Sequence, residues 1–536
     1  MKPILHLAIL ASLAANAVAG PKLSSEFSKL PPNQMVEVII QFKALPGQAD
    51  LSIALGAAGS SLTGRLNLIR ALTLRLPAAA VRALEANPNI LYITPNRKLT
   101  PNLSYTREAS TAAIAQSYGW TGSGVGVAVI DSGFTSHYDL GTNVVYKESF
   151  IDSTTDDNFG HGTHVAGIVA GGGSANDGYK NKGIAPQAKL IVLKALDANG
   201  SGTDIAVIQA IDRAIQLKSQ YNIRVLNLSL GRPVFESYTL DPLCQAVERA
   251  WQAGIVVVVA AGNEGRNNTQ NTSGYGTILS PGNDPFVITV GAMKTRNTAS
   301  RADDQMASYS SKGPTAIDHI LKPDLVAPGN RVVAPMRTGV TLWNNHPGNQ
   351  VYVSAYGSQY FKMSGTSMAA PVVSGTVALL LQKQPSLTPD QVKARLMKTA
   401  SKSFPGPTIA TDPATGAYYT TAYDSFTVGA GYLDVWAAMN NSDTVTASAR
   451  SPKANFNSST NTVTLSYPDG SAWTNSVLWG SSVVWGTTNV SASGVVWGTG
   501  VVWGTGVVWG TSVLWGTGVV WGTGVVWGTT EGAGEE

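Results

Sequence analysis

Short, uninterrupted apolar runs recur through the middle of the chain, and segments with helical periodicity lie between them. Continuous apolar runs of this length are typical of strands that are buried on both faces of a parallel sheet. Their alternation with helices predicts an α/β fold with a central, mainly parallel sheet. The predicted strands are Val125–Ile130, Ala188–Leu193, Val225–Leu230, Ile255–Ala260 and Phe286–Val290, and the predicted helices are His164–Ala170, Asp204–Lys218 and Cys244–Ala253.

A later helix is marked by its capping residues rather than by its length. Thr388 stands at the N-cap position, Pro389 at the first helical position and Gln391 at the third, which is the pattern of a capping box. The apolar stripe that follows, with Val392 and Leu396, predicts a structural helix that packs on the core.

The N-terminal hundred residues have a different pattern. Residues 1–19 combine Lys2, an apolar stretch and a small-residue cleavage site, which is typical of a secretory signal peptide and too short for a membrane span. No later segment has the pattern of a transmembrane helix. Residues 20–105 alternate apolar and polar positions and predict a small α+β domain. Its predicted elements are the strands Met35–Phe42, Ala71–Leu76 and Ile90–Thr94 and a helix over Ala78–Ala86.

The C-terminal segment is a repeat. A six-residue unit, Val-Val-Trp-Gly-Thr-Gly, recurs from Val477 to Thr529, and residues 475–530 carry no charge. An even period places every Trp on one face of an extended chain. Three interpretations stay open: a stacked or rolled β-structure, a segment for surface adhesion or self-association, and a low-complexity tail that is removed. Residues 441–474 are predicted to be a polar linker with a little strand.

The charge of the chain is unevenly distributed. The whole chain carries a formal charge of +4 at pH 7. Nine basic and four acidic residues between 20 and 105 contribute +5 and Lys2 contributes +1, so residues 106–536 carry −2. The excess of basic residues therefore lies before residue 106. It gives no reason to expect that residues 106–536 bind nucleic acid or anionic membranes. Cys244 is the single cysteine, which excludes an intramolecular disulfide and predicts a small buried hydrophobe.

Four polar residues stand at the ends of predicted elements, in the order Asp131, His161, Asn263 and Ser367. Asp131 and Asn263 follow buried strands, and open α/β sheets bind ligands at the carboxyl ends of their strands. Ser367 begins an apolar helical run, where free N–H groups favour a developing anion. A reactive serine needs a base and a group that orients the base. Singly, each residue is more often a cap or a turn residue. Together and in this order they favour catalysis.

The segments around these four residues resemble the signature blocks of the subtilisin-like serine peptidases, the subtilases. The resemblance covers about residues 115–440, and the order Asp, His, Ser separates subtilisins from other serine hydrolases. The blocks are Asp131-Ser-Gly, His161-Gly-Thr-His-Val-Ala-Gly, Leu226-Asn-Leu-Ser-Leu-Gly, Ala261-Gly-Asn-Glu-Gly, Lys322-Pro-Asp-Leu-Val-Ala-Pro-Gly and Gly365-Thr-Ser-Met-Ala-Ala-Pro.

This resemblance implies a three-layer fold and a secreted endopeptidase that works through an acyl-enzyme. Ser367 would be the nucleophile, His161 the general base and Asp131 the residue that orients the imidazole. The side-chain amide of Asn263 and a backbone N–H at Ser367 would hold the oxyanion. His164 matches no role in the family and is expected to be structural.

The resemblance also implies which segments bind the substrate. Two edge segments would pair with an extended peptide, and a third would line one wall of the primary pocket. These segments are Gly200, Ser201 and Gly202, then Ser229, Leu230 and Gly231, and for the pocket wall Ala260, Ala261 and Gly262. Their small, uncharged side chains predict an uncharged, apolar P1 residue. Leu279, expected at the far side of the pocket, would shorten it.

The domain organisation follows from the same resemblance. After the signal peptide that the pattern of 1–19 predicts, it implies an inhibitor and folding-template propeptide of ferredoxin-like α+β type over 20–105 and a peptidase domain over 106–440. The linker (441–474) and the repeat tail (475–536) lie outside the family pattern. The propeptide is expected to be removed by the enzyme itself, between about Thr100 and Arg107.

The expected partners are protein or peptide substrates and the protein's own propeptide, with no nucleic acid. The chemistry needs no cofactor, and the resemblance is compatible with a structural calcium ion that the sequence does not locate. Candidate oxygen ligands are Asp152, Asp156, Asp157, Asn158, Asn176 and Asp177. Two other functions stay open. An inactive subtilase fold used for binding would lack a catalytic residue, and a surface protein would depend on the repeat.

Overall fold

The computed structural model describes residues 22–24, 27, 30–56, 58–95, 104–173, 181–268, 272–353, 358–404, 406–411, 416–457, 462–468 and 489–491. The predicted signal peptide, and all of the predicted repeat tail except 489–491, lie outside the described residues. The chain divides into two units, Met1–Thr100 and Pro101–Glu536.

The first unit is a four-stranded antiparallel sheet with two helices. Its elements are β1 (Met35–Phe42), α1 (Gln48–Ala54), β2 (Ser61–Leu66), β3 (Ala71–Pro77), α2 (Ala78–Leu84) and β4 (Ile90–Pro95). The strand order β2-β3-β1-β4 with antiparallel neighbours is the ferredoxin-like arrangement. Alternate residues such as Val38, Ile40, Leu72 and Leu74 are fully buried, which explains why alternation predicted β1 and β3. Strand β2 was not predicted because its side chains are nearly all exposed.

The second unit contains the predicted α/β pattern and several additional short elements. In chain order they are α3 (Ser104–Ala109), α4 (Ala112–Ser117), β5 (Gly126–Asp131), β6 (Val144–Ser149), α5 (His161–Ala170), β7 (Lys189–Lys194), α6 (Asp204–Gln216), α7 (Lys218–Tyr221), β8 (Ile223–Leu228), α8 (Pro242–Gln252), β9 (Val256–Ala260), β10 (Ile288–Lys294), β11 (Gln305–Met306), β12 (Leu325–Pro328), β13 (Val332–Pro335), α9 (Thr341–Asn345), β14 (Gln350–Val353), β15 (Ser358–Met363), α10 (Thr366–Lys383), α11 (Pro389–Thr399), β16 (Thr408–Thr411), β17 (Tyr418–Thr421), α12 (Ser425–Val428), α13 (Val435–Asn440), β18 (Lys453–Asn457), β19 (Thr462–Ser466) and β20 (Asn489–Ser491).

An eight-stranded sheet forms the centre of this unit. Its order is β11-β10-β9-β8-β5-β7-β6, with β12 also paired to β10, and every neighbouring pair except β10 with β11 is parallel. Every residue of β5, β9 and β10 is buried, so both faces of the sheet are covered. Helices α5 and α10 pack together against the sheet, and α6 and α8 form a second packed pair. The predicted α/β fold with a mainly parallel sheet is confirmed.

The helix boundaries agree with the local sequence signals. Helix α10 places Ser367 in its first turn and carries Pro371 within that same N-terminal region. At the start of α11, Thr388 Oγ1 accepts a hydrogen bond from Gln391 N, and Thr388 N donates to Gln391 Oε1 at 3.0 Å, which is the predicted capping box.

The segment that the sequence assigns to a linker, 441–474, contributes to the fold. Strands β18 and β19 pair with each other, and β19 also pairs with β20. Ala454 and Val463 are 1% exposed, and Leu321 N donates to Pro452 O at 2.9 Å. The composition of the segment is polar because each strand buries only a few side chains, and this is why its pattern predicted a linker.

None of the helices in the described part of the chain combines the length and the apolarity that a membrane crossing requires.

A buried ion cluster joins the C-terminal elements to the sheet. The Asp324 carboxylate accepts hydrogen bonds from Lys322 Nζ at 2.7 Å, Ser451 Oγ at 2.6 Å and Thr289 N at 2.8 Å, and Lys393 Nζ lies 3.1 Å from it. Burial opposes ionisation of Asp324, but the two lysines outweigh it and hold the pKa of this carboxyl below its usual value. The cluster connects β10, β12, α11 and the residues before β18.

Replacing Asp324 by Asn is expected to cost about 3–5 kcal/mol of unfolding free energy, because it leaves two buried lysines without their carboxylate. Urea unfolding of this variant beside the wild type measures this. The control is Asp443→Asn, which removes an exposed carboxylate paired with Lys398 and should change stability little. Equal stability of the two variants would show that the cluster is not a structural anchor.

Candidate active site

Asp131 and His161 meet at the edge of the sheet. Asp131 is the last residue of β5, His161 is the first residue of α5, and both side chains are fully buried. His161 Nδ1 lies 2.7 Å from Asp131 Oδ1. Because a carboxylate only accepts hydrogen bonds, Nδ1 carries the proton and Nε2 is the basic nitrogen of the ring. The pair is therefore arranged as an oriented base.

A second carboxylate fixes the surroundings of this pair. Ser132 N donates to Asp131 Oδ1 at 2.7 Å, and Ser132 Oγ donates to Asp157 Oδ1 at 2.8 Å while accepting from Gly162 N at 2.8 Å. Asp157 Oδ2 also accepts from Thr163 N at 2.7 Å. Burial raises the pKa of Asp157, and the hydrogen bonds from the start of α5 oppose that rise. Ser132 and Asp157 thus hold the strand end and the helix start together.

Ser367 is connected to the end of β8. Its Oγ donates to Ser229 O at 3.2 Å, and Ser229 Oγ donates to Ser367 O at 2.8 Å. Asn227 supports this contact, because its Nδ2 donates to Ser229 Oγ at 2.9 Å and its Oδ1 accepts from Ser374 Oγ at 2.8 Å. The reciprocal bonds fix the first turns of α10 against the sheet.

Asn263 lies beside the N-terminus of α10. Its Oδ1 accepts from Thr366 N at 2.9 Å and from Thr366 Oγ1 at 3.1 Å. With the carbonyl oxygen engaged, the amide nitrogen Nδ2 is the group that can donate elsewhere. Gly262 N donates to Thr366 Oγ1 at 3.1 Å, which holds the loop in place. An amide donor therefore stands next to the helix N–H groups at Ser367.

The segment Gly200–Gly202 lies next to the histidine. A Cβ at Gly200 would come within 2.5 Å of a ring atom of Phe159, two residues before His161. A Cβ at Gly202 would lie 2.4 Å from Ala195 O. Ser201 N donates to Asp197 Oδ1 at 2.9 Å. Only glycine permits these close backbone approaches, which pack the segment against Phe159 and Ala195.

The two other predicted segments are brought together around Leu279. A Cβ at Gly231 would lie 2.9 Å from Leu279 Cβ, and one at Gly262 would lie 2.7 Å from Leu279 Cγ. Leu279 N donates to Ala261 O at 3.1 Å. Leu279 therefore fills space between Ser229–Gly231 and Ala260–Gly262.

The side chains of these segments do not all face the site. Leu230, Ala260 and Ala261 are 2%, 4% and 0% exposed. They belong to the core, and the backbone of Ala261 is engaged as well, since its N–H donates to Val290 O at 3.0 Å and its carbonyl accepts from Leu279 N.

His164 lies one turn further along α5 and does not share the chemistry of His161. Its Nε2 is 2.9 Å from Phe361 O, and burial lowers its pKa to about 3. At any pH well above this pKa the ring is neutral, and it serves as a hydrogen-bonded core residue.

The candidate calcium oxygens are engaged in other contacts. Asp152 Oδ2 lies 2.6 Å from Lys194 Nζ, which also donates to Asp156 O at 3.0 Å, and Asp157 holds the start of α5. Asn158 O accepts from Thr341 N at 3.0 Å. Across the described ranges, no group of three or more His, Cys, Asp or Glu is placed to hold a metal ion. The described candidates therefore do not locate a calcium site, and Asn176 and Asp177 lie outside the described residues.

Sequence reasoning missed the residues that support the site. Ser132 and Thr366 lie inside the recognised blocks, Asn227 lies in Leu226–Gly231, and Asp157 was considered only as a metal ligand. The available signal was their position, one to four residues from a candidate catalytic or substrate-binding residue.

Comparisons with known proteins agree with the geometry. The model of the subtilase family matches residues 122–417. The chain is 39% identical to "Serine protease AprX" of Bacillus subtilis (strain 168) over 353 residues, which cover 64% of this chain and 77% of that protein. It is 35% identical to "Subtilisin E" of the same strain over 350 residues, covering 64% and 78% of the two chains. It is also 35% identical to "M-protease" of Shouchella clausii (strain KSM-K16) over 338 residues, covering 62% and 74%.

Proposed function

Because the chain belongs to the subtilase family and is a serine endopeptidase, we propose that Asp131, His161 and Ser367 are its catalytic triad. The observation that supports this best is the buried contact of 2.7 Å between His161 Nδ1 and Asp131 Oδ1. In this orientation Nε2 is the ring nitrogen that would act as the general base. Ser367, in the first turn of α10, is the nucleophile that such a base would serve.

The proposed reaction has two halves. Ser367 Oγ attacks the scissile carbonyl carbon while His161 Nε2 takes the hydroxyl proton, and Asp131 stabilises the imidazolium that forms. The C–N bond then breaks, the leaving amine takes the proton from His161, and an acyl-enzyme remains. In the second half, water attacks the acyl carbon as Ser367 Oγ did in the first, and His161 again takes the proton and returns it to Ser367 Oγ. The part of the substrate held as the acyl group then leaves with a free carboxyl group. Residues of this chain, the substrate and water carry every proton and electron pair, so the chemistry requires no cofactor.

The negative charge on the carbonyl oxygen would be stabilised at the N-terminus of α10. Asn263 Nδ2 and the backbone N–H at Ser367 are the proposed donors. Such a donor is typically worth about 10²–10³ in kcat, a magnitude known from a subtilisin. The engagement of Asn263 Oδ1 by Thr366 supports this assignment, because it fixes the amide before charge develops.

The proposed substrate is an extended peptide between the segments Gly200–Gly202 and Ser229–Gly231. Glycine backbones permit the close approach that β-pairing with a peptide requires. We assign Ala260–Gly262 to one wall of the P1 pocket and Leu279 to its far side. The contact of Leu279 with both glycines predicts a shallow, uncharged pocket.

Replacing Leu279 by Gly should deepen this pocket. We expect kcat/KM to rise for substrates with a large aromatic P1 residue and to fall slightly for those with a small one, since the removed side chain limits length. A series of peptides that differ only at P1 measures this. An unchanged ranking of P1 residues would contradict the placement of Leu279 in the pocket.

The N-terminal unit is proposed to be a propeptide over 20–105 that follows a signal peptide over 1–19, so that the mature enzyme (106–440 with the following segments) is secreted. The N-terminal unit has a hydrophobic core of its own, which supports the proposal that it is removed as one folded module. Helix α3 begins at Ser104, and a helical segment cannot bind as an extended substrate. Within the predicted window of about Thr100 to Arg107 this favours a cut before Ser104, slightly earlier than the domain boundary at 105. A folding template suits a sheet formed by pairing between distant strands.

Self-processing is testable by intact mass and N-terminal sequence of the secreted wild type beside Ser367→Ala. We expect only the wild type to lose its first hundred or so residues and to hydrolyse a peptide substrate. Identical processing of both proteins would assign maturation to another protease, and peptide hydrolysis by Ser367→Ala would exclude the proposed nucleophile.

The repeat tail, 475–536, is proposed to mediate surface attachment or self-association. Its uncharged Trp-rich units suit adhesion. Pairing of β20 with β19 supports a physical connection between the tail and the peptidase fold. An inactive binding fold is disfavoured because Asp131, His161, Asn263 and Ser367 are all present.

A further inference from the structure

Arg232, the residue after Gly231, joins two helices that border the proposed substrate groove. Its Nε lies 3.0 Å from both carboxylate oxygens of Asp204, and its Nη2 lies 2.8 Å from Asp241 Oδ1. Asp204 is the first residue of α6 and stands two positions after Gly202. Asp241 is the N-cap of α8. The guanidinium of Arg232 therefore connects the first residue of α6 with the N-cap residue of α8.

The backbone of Arg232 connects a third segment. Arg232 N donates to Ser280 O at 2.9 Å, and Ser280 N donates to Arg232 O at 2.8 Å. Ser280 Oγ donates to Asp241 Oδ2 at 2.7 Å. Ser280 follows Leu279, which contacts Gly231 and Gly262. Arg232 therefore links the Gly200–Gly202 edge, the Ser229–Gly231 edge and the loop of Leu279 at the far side of the P1 pocket.

Asp204 and Asp241, the two carboxylates that hydrogen-bond to Arg232, differ in burial, and a third carboxylate, Glu236, lies further from its Nη2 at 3.7 Å. The Asp241 side chain is 0% exposed, so its link to Arg232, together with the bond from Leu243 N at 2.9 Å, compensates a buried charge. The Asp204 side chain is 35% exposed. The Asp204 link can therefore be removed without leaving a fully buried charge unpaired, and it is the link that reaches the Gly200–Gly202 edge.

We propose that the Arg232–Asp204 ion pair sets the distance between the Gly200–Gly202 and Ser229–Gly231 edges and thereby selects for substrates extended on the N-terminal side of the P1 residue. Arg232 and Asp204 are positioning residues, because they act through the backbones that bind the peptide. The proposal rests on the proposed function, which supplies the groove.

This role predicts an effect that depends on substrate length. A short substrate uses the P1 pocket and the catalytic residues only, whereas a longer one must pair with both edges at once. Loosening one edge should weaken binding of the longer substrate before it affects the chemical step, so the loss should appear in KM rather than in kcat.

The test compares two substrates that share one P1 residue, one acylated directly at P1 and one extended by three further residues. For Asp204→Asn we expect kcat/KM to fall about tenfold on the extended substrate, through KM, and to stay within about twofold on the short one. Asp204→Glu, which keeps the carboxylate, should recover most of the loss. The matched control is Asp212→Asn, a second carboxylate on α6 whose partner is Gln216, and it should change neither substrate.

Two results would overturn the proposal. One is an unchanged ratio between the two substrates in Asp204→Asn, and the other is an equal loss on both, which would indicate a general structural effect. Failure of the proposed function has a different signature. In that case wild type and Ser367→Ala would hydrolyse the short substrate at the same rate.

Discussion

The arrangement of the proposed active site depends on one interaction, the hydrogen bond between the buried carboxylate of Asp131 and the imidazole of His161. A buried charge is costly unless hydrogen bonds compensate it. Here His161 Nδ1 and Ser132 N supply two bonds at 2.7 Å each. The compensation requires the end of β5 and the start of α5 to stay in fixed register, and the buried Asp157 provides this by binding both Ser132 and Thr163. The sheet that ends in Asp131 also ends, on neighbouring strands, in Ser229 and the Asn263 loop.

The same edge places a helix start against each strand end. Helices α5 and α10 both begin at this edge and pack together. Their helix dipoles favour negative charge at this edge, which suits a reaction that develops an oxyanion. The reciprocal bonds between Ser229 and Ser367 show how closely strand and helix are joined. Beyond the edge, Arg232 joins α6, α8 and the Leu279 loop by the same principle of paired buried charge.

Much of this arrangement was predictable from local pattern. The strands β5, β7, β8, β9 and β10 are continuous apolar runs, and the capping box at Thr388 identifies a helix by itself. The residues that resemble catalytic ones lie at element ends, where sequence order and hydropathy place them. Sequence could not predict that Asp157 pairs with Ser132, Asp324 with Lys393 and Arg232 with Asp204, because only the fold brings these separate elements together. It predicted only a little strand in the polar segment 441–474 and did not locate β18 and β19, since a strand that buries few side chains lacks a strong apolar pattern.

The central claim, that Ser367 is made reactive by the folded Asp131–His161 pair, is tested most directly by reacting the mature wild-type protein with a fluorophosphonate and mapping the adduct by mass spectrometry. The fluoride leaves as the serine oxygen bonds to phosphorus, so only an activated hydroxyl reacts quickly. The account predicts a single adduct at Ser367 in the native protein and its loss after unfolding in urea. An adduct on another serine, or equal labelling of Ser367 in the folded and unfolded chains, would contradict it.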